Sequence, residues 1–131
     1  MYKGRIVNST AVAVDTNIPF VTVWNTNNNT RYTTNNAVEL RAAGYYDVAV
    51  NVVLTNATAT PVSLQLYNNG QPIEETLTTN DITATTGIET LTIVDTIRVT
   101  PDLVNDFAEL SVRADQAVTI LNGIFTVEMR K

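Results

Sequence analysis

The fold of this chain is decided by residues 43–55, Ala-Gly-Tyr-Tyr-Asp-Val-Ala-Val-Asn-Val-Val-Leu-Thr. From Tyr46 to Leu54 every second residue is aromatic or aliphatic, while the positions between them are mixed. Side chains of a β-strand point alternately to two faces, so this period predicts a long strand with one buried side. The glycine before the two tyrosines marks the corner at which the strand begins.

Shorter stretches with the same alternation precede and follow this strand. They are Ile6–Val14, Ile18–Trp24, Val62–Tyr67, Ile73–Leu77, Leu91–Val99, Phe107–Val112 and Gly123–Met129. The sequence Asn68-Asn69-Gly70 predicts a hairpin turn between two of them. No segment has a convincing helical period, and we find neither a repeat nor a linker. The pattern predicts an all-β protein, an antiparallel β-sandwich or jelly roll that forms a single domain over residues 1–131.

The composition excludes several classes of function. The chain contains no Cys and no His, which removes the usual zinc ligands and the most common general base. Its net charge is -5, and its eight Lys and Arg residues are scattered, so no basic surface is predicted for nucleic acid. Neither a signal peptide nor a membrane-spanning segment is visible. We therefore expect no enzyme, no cofactor, no nucleic-acid partner and no membrane partner.

Two groups of acidic residues are candidates for a calcium site and for a catalytic pair of carboxylates. Asp102, Asn105 and Asp106 offer oxygen ligands near a helical turn after Pro101, but they lack the alternating ligands and the final Glu of a calcium loop. Glu74 and Glu75 are adjacent, and on a strand they would face opposite sides, unlike the paired carboxylates of a glycosidase. We expect no metal site and no catalytic residues.

Three motifs carry a resemblance to a known family. They are Gly44-Tyr45-Tyr46-x-Val48, the hairpin Leu64-x-Leu66-Tyr67-Asn68-Asn69-Gly70, and the closing Phe125-Thr126-Val127-Glu128. Over residues 12–130 the chain resembles the tumour-necrosis-factor-like jelly roll of complement globular heads, in the small form found in spore-surface proteins and in bacteriophage head-fibre or capsid-decoration proteins. The collagen-like stalk of the complement and spore members is absent.

The resemblance implies a function without chemistry. Members of that family assemble as trimers and display a surface, so we expect a homotrimeric head fibre or capsid-decoration protein of a bacteriophage virion. Its partners would be copies of itself and other virion proteins, with bacterial surface glycans as a candidate ligand. It would be assembled in the host cytoplasm and located on the virion. The alternative is a carbohydrate-binding or receptor-binding module of a phage or bacterial surface protein.

Strand parity selects candidate contacts for the trimer. On the side of the long strand opposite the core lie Tyr45, Ala49 and Val53, which either meet neighbouring copies or form an ordinary half-wet surface. Ile120 and Ile124 point away from Phe125 if the last strand is regular, and would then suit the same interface. A bulge at Asn122-Gly123 would instead return them to the core.

Three further residues are candidates for a functional role. Asp95 shares the parity of Ile93 and Ile97, so we expect either a bulge that turns it outward or a polar group on the assembly axis. Trp24 and Tyr32 are candidate contacts for a sugar ring. Because Trp24 shares its parity with Ile18 and Phe20, packing in the core or in an interface is the favoured interpretation for it.

Overall fold

The computed structural model describes residues 1–26, 29–56, 60–79, 87–100 and 108–130. Its strands are β1 (Tyr2–Ile6), β2 (Thr10–Val12), β3 (Val21–Asn25), β4 (Thr30–Tyr32), β5 (Val38–Leu40), β6 (Gly44–Asn56), β7 (Ser63–Asn68), β8 (Gln71–Pro72), β9 (Thr78–Thr79), β10 (Ile88–Val99), β11 (Ala108–Ala114) and β12 (Val118–Met129). One 3-10 turn, Glu74–Thr76, lies between β8 and β9. The calcium candidates Asp102, Asn105 and Asp106 lie outside the described residues.

The long strand predicted from the sequence is the centre of the first sheet, sheet A. Its strand order is β10-β6-β12-β1-β3, with β2 beside β12, and all pairings are antiparallel. Strand β6 pairs with β10 along its length without a register shift, from Gly44 opposite Val99 to Thr55 opposite Ile88. Gly44 has a φ of 146°, a conformation that strains any residue with a Cβ, which explains the glycine at this corner.

Sheet B packs on the first sheet and has the order β4-β5-β11-β7-β8, with β9 beside β7. The predicted hairpin between β7 and β8 is present, because Asn68 pairs with Gln71 across the two-residue loop Asn69-Gly70. Both loop residues have positive φ values, 52° and 79°, as a type I′ turn requires. The expected strand over residues 73–77 is wrong, since a 3-10 turn occupies it and places Glu74 and Glu75 on the surface.

The buried apolar side chains of both sheets form one cluster between them. The inward side of β6 belongs to this core. Its alternating residues are all at most 1% exposed, namely Tyr46, Val48, Val50, Val52 and Leu54. Leu64 and Leu66 of β7 cover them from the other sheet and are fully buried. The expected all-β jelly-roll architecture is therefore confirmed. Among the described residues, no helix is long and apolar enough to span a membrane.

The last strand, β12, contains a bulge, which is the second of the two interpretations of its sequence. Ile120 pairs with Leu54 and Asn122 with Val53, so Leu121 is an extra residue in β12. An extra residue reverses the parity of what precedes it. Ile120 is consequently 0% exposed, whereas Ile124, beyond the bulge, is 44% exposed. The prediction that both isoleucines face outward is wrong for Ile120, which belongs to the core.

Asp95 does not sit in a bulge. Strand β10 keeps a regular register, and Asp95 faces Val48 on the core side of the sheet. Its Oδ2 atom is buried and has no hydrogen-bond partner in the described part of the chain. The favoured interpretation of an outward-turned carboxylate is wrong, because the pairing of twelve residues with β6 fixes the parity of the strand. An inward charge on an edge strand discourages the pairing of a further strand.

Candidate functional site

The outward side of sheet A carries a set of nine adjacent uncharged side chains, which we call the neutral face. They form three rows across β10, β6 and β12, namely Val94-Ala49-Thr126, Thr92-Asn51-Ile124 and Thr90-Val53-Asn122. With neighbouring strands ~4.8 Å apart and ~3.3 Å between successive residues, the Cα atoms of these rows cover about 10 Å by 13 Å. The sequence alternation of β6 predicts the central column, and β10 and β12 supply the other two.

Apolar side chains on the neutral face are exposed to solvent in the isolated chain. Val94 is 77% exposed and Ile124 is 44% exposed, while Val53 is half-buried and Ala49 is exposed. Single exposed apolar residues are common on protein surfaces, whereas the neutral face brings four apolar side chains together with no charge between them. Depletion of charge is the compositional mark of the centre of a protein interface.

Charged side chains border the neutral face along β1, where Lys3 is paired with Thr126 and Arg5 with Ile124, and at one end. Arg130 forms an ion pair with Asp47, with 2.6 Å between Nη2 and Oδ1, and Thr96 donates a hydrogen bond to the same carboxylate. The hydrogen bond from Arg130, followed by that from Thr96, holds the pKa of Asp47 below its usual value. Both partners are about half exposed, so the pair contributes little to stability in the isolated chain. It closes the patch with a polar rim.

The predicted trimer contacts fall into two groups. Tyr45, Ala49, Val53 and Ile124 all project from the outward side of sheet A, and Tyr45 lies at the charged end with the Arg98 guanidinium carbon 5.8 Å from its ring centre. Ile120 is on the opposite side of the sheet, for the reason given above. The sequence reasoning thus placed four of its five residues on one surface.

The sequence reasoning also missed members of this surface. Val94, the most exposed large apolar residue of the face, was not selected. Its signal was present, because Val94 has the parity opposite to Ile93 and Ile97 and follows Thr90 and Thr92 on the same side. That side of β10 became informative only once the pairing placed it next to Ala49 and Asn51.

Trp24 is not in the core. A register shift between β1 and β3 at Lys3 and Gly4 leaves Val23 as an extra residue, which turns Trp24 outward although Ile18 and Phe20 are buried. Trp24 is 42% exposed, and the Lys3 ammonium lies 4.7 Å from its ring centre. Of the two environments expected for Trp24, core packing is wrong, and packing in an interface stays a prediction.

Tyr32 is half-buried between the two sheets. Its ring stacks on Tyr2 with 5.3 Å between ring centres and 2° between their planes, and its hydroxyl donates a hydrogen bond to Asn36 Oδ1. Burial raises the pKa of Tyr32 to about 12. The aromatic face that a sugar would need is covered on one side by Tyr2. Trp24 and Tyr32 therefore have internal partners.

Comparison with known proteins supports the fold. No family model and no curated protein matches the sequence. Solved structures do match over nearly the whole chain. The Eiger tumour necrosis factor of S. frugiperda superposes with a TM-score of 0.64 and 12% identity, covering 99% of this chain and 93% of that one.

Two other solved structures show the same fold. Vertex protein P5 of PRD1 superposes with a TM-score of 0.58 and 13% identity, covering 98% of this chain and 96% of the other. Rabbit GITRL gives a TM-score of 0.55 and 11% identity, covering 100% and 95%. At these identities the likeness concerns the fold alone. The chain is a tumour-necrosis-factor-like jelly roll, as the three sequence motifs indicated.

Proposed function

We propose that this protein is a non-enzymatic structural component of a bacteriophage virion, a head fibre or capsid-decoration protein that assembles as a homotrimer through the neutral face. The observation that carries the proposal is the uncharged patch on sheet A, which exposes Val94 on β10 and Ile124 on β12. The resemblance stated from the sequence implies trimers, and a phage vertex protein is among the structures that share the fold.

The proposal assigns a role to each part of the patch. A closed ring with threefold symmetry brings the same surface of three copies together and shields it from water. The two rows that contain Ala49, Asn51 and Thr126 have only uncharged side chains, so the copies can approach there without burying a charge. The Asp47–Arg130 pair and Arg98 then form the polar rim, where water remains accessible.

The first experiment measures the mass of the purified protein by light scattering at micromolar concentration. We expect three times the 14.3 kDa of the chain. Ala49→Arg places a charge in the central column of the neutral face of each copy, and burying such charges costs several kcal/mol for each ion. We expect this variant to have the mass of one chain while keeping the β-sheet circular dichroism of the wild type.

The matched control is Gln71→Arg, which introduces the same side chain at an exposed position of β8 on sheet B. It should keep the trimeric mass. A wild-type protein with the mass of one chain, or an Ala49→Arg variant that remains trimeric, would overturn the assembly through this face. The location on a virion is tested separately by mass spectrometry of purified particles, in which a decoration protein must be present in many copies.

A carbohydrate-binding module that uses Tyr32 and Trp24 is the second candidate function. It has less support, because the Tyr32 ring is stacked on Tyr2 and the Trp24 ring is occupied by Lys3. Loss of binding on a glycan array after Tyr32→Ala or Trp24→Ala would favour the module. The same arrays without any signal would leave the structural function as the better account.

A further inference from the structure

The outward side of β11 is the floor of a polar cleft of about 490 Å³. Its walls are the segment before Ile18, the turn between β4 and β5, and the Asn69-Gly70 turn. The lining residues are Thr16, Asn17, Asn35, Asn36, Ala37, Gly70, Glu109, Ser111 and Arg113. Ala37 has the one apolar side chain among them. The volume lies within the usual range for small-molecule sites, but the lining is far more polar than usual.

Hydrogen bonds connect the three walls to the floor or to one another. Arg113 Nε donates to Asn17 Oδ1 at 2.7 Å, and Asn17 Nδ2 donates to the Asn35 carbonyl at 2.9 Å. On the other side Glu109 and Asn69 exchange two bonds of 2.9 Å, one from each backbone N–H. A cleft with anchored walls loses little conformational freedom when it binds a ligand.

Arg113 is oriented but not neutralised. Its guanidinium carbon lies 4.5 Å from the ring centre of Tyr67, and Nε is held by Asn17, so the two terminal nitrogens have a fixed direction. Within the described residues no carboxylate lies within ion-pair distance of it, since the ion pair found there joins Arg130 and Asp47. A planar guanidinium with free terminal N–H groups is the geometry that binds carboxylates through two parallel hydrogen bonds.

The rest of the floor suits hydroxyl groups. Ser111 lies between Arg113 and Glu109 on β11 and is 3% exposed, and its hydroxyl makes no hydrogen bond to the described part of the chain. Glu109 is four residues from Arg113, a separation of about 13 Å along a strand, so the two charges mark opposite ends of the cleft. A carboxylate oxygen such as that of Glu109 accepts hydrogen bonds but cannot donate them.

We propose that this cleft binds an acidic saccharide, with the ligand carboxylate on Arg113 and its hydroxyls on Ser111, Glu109 and the amides of Asn35 and Asn36. A ligand with hydroxyls along its whole length matches a lining of amides and hydroxyls, whereas a peptide would need apolar contacts that only Ala37 offers. The opposite charges at the two ends fix the direction in which the ligand lies. All lining residues come from one copy, so the site does not depend on the trimer.

The experiment follows backbone amide resonances of the nitrogen-15-labelled protein during titration with sodium D-glucuronate, with D-glucose and with sodium acetate. We expect glucuronate to shift resonances of residues 109–113, Asn17 and residues 35–37. Glucose lacks the carboxylate, and because a charge-assisted pair of hydrogen bonds is worth at least a factor of about ten in affinity, it should bind at least tenfold more weakly. Acetate keeps the carboxylate but lacks the hydroxyls, and the loss of several hydrogen bonds should lower its affinity by a factor of about ten or more relative to glucuronate.

Variants separate the oriented arginine from its charge. Arg113→Gln should lower the glucuronate affinity to that of glucose, and Arg113→Lys, which keeps the charge but loses the planar fork, should also lose most of it. The control Arg31→Gln removes an exposed arginine from the same sheet outside the cleft and should bind as the wild type does. The spectra show directly whether each variant is folded.

Three results would overturn the proposal. Shifts that are absent from the cleft would remove the site, equal affinity for glucuronate and glucose would remove the role of Arg113, and equal affinity for acetate would show that the hydroxyls contribute nothing. A monomeric mass in the light-scattering experiment would affect the proposed assembly and leave this site unchanged, so the two failures are distinguishable.

Discussion

The two outward faces of the sandwich contrast in charge although both belong to twisted antiparallel sheets. On sheet A the nine positions of the neutral face carry no charge. On sheet B one row across β4, β5 and β11 reads Arg31-Glu39-Glu109, and Arg113 follows four residues further along β11. The same alternation of residues therefore leaves one patch of sheet A uncharged, with Lys3, Arg5, Asp47 and Arg130 around it, and places charges on the central strand of sheet B beside a groove.

The contrast teaches where the fold leaves freedom. The inward positions of both sheets must be apolar, because burial of a polar group without a partner is costly. The outward positions carry no such requirement, and their chemistry is set by what meets them. A neutral face is suited to another protein surface, while a charged face with fixed walls is suited to water and to a polar ligand.

The largest expected effect tests whether the inward sides are equivalent. Leu54→Ala in β6 and Leu66→Ala in β7 each remove a fully buried side chain, and each should lower the free energy of unfolding by about 2–5 kcal/mol. Urea denaturation of both variants measures this. An outward substitution at Gln71 should stay within about 0.5 kcal/mol. If one leucine had no effect, the two sheets would not share one core.

A smaller effect tests the inward carboxylate of Asp95. Asp95→Val replaces a buried, unpartnered oxygen with a side chain that suits the neighbouring Ile93 and Ile97, and should raise the free energy of unfolding by about 1 kcal/mol. The comparison is Gln71→Val at an exposed position of sheet B, which should change little. A loss of stability in Asp95→Val would mean that the carboxylate is stabilised by its surroundings, contrary to the burial described here.

Alkaline unfolding tests the tyrosines at the junction of the two sheets. Burial raises the pKa of Tyr2, Tyr32 and Tyr46, to about 12 in the case of Tyr32. The folded chain keeps these protons at pH values at which the unfolded chain has lost them. The contribution of these tyrosines to the free energy of unfolding is therefore constant below about pH 10 and falls as the pH rises from there toward 12. Melting temperatures and phenolate absorbance should show both changes together. The variant Tyr32→Phe should have a shallower alkaline decline.

The smallest expected effect concerns the rim of the neutral face. Asp47→Asn removes the ion pair with Arg130, whose partners are both about half exposed, and should change the melting temperature at pH 7 by no more than about 1 °C. Since the pKa of Asp47 is lowered in the folded chain, its contribution is present at neutral pH and is lost as the pH falls below the ordinary carboxyl range. A decrease of more than about 5 °C at pH 7 would place the pair at the centre of an interface instead of its rim.

Much of the fold was predictable because alternation is a local property. The parity of Tyr46 to Leu54 and the Asn69-Gly70 turn needed no knowledge of the partner strands. The bulges at Val23 and Leu121 were not predictable in the same way, since a register shift is decided by the pairing of strands that are far apart in sequence. Those shifts moved Trp24 out of the core and Ile120 into it.

The candidate sites also differ in whether a single strand or the pairing of distant segments defines them. Tyr45, Ala49 and Val53 were found from one strand alone, and Ile124 from another. The cleft could not be predicted from the sequence. Its residues Asn17, Asn35 and Arg113 lie on three separate segments and meet only through the hydrogen bonds of the folded chain. No spacing in the sequence relates these residues to one another.

The place of β12 between β6 and β1 has a consequence for how the chain folds during synthesis. The first strand, residues 2–6, has its central neighbour in residues 123–127. At a ribosomal rate of ~5–20 residues per second, the first strand waits roughly 6–25 s for this neighbour. Loss of the C-terminal strand would leave both β1 and β6 with an open edge, so a chain whose translation stops early is expected to be a substrate for chaperones and proteases.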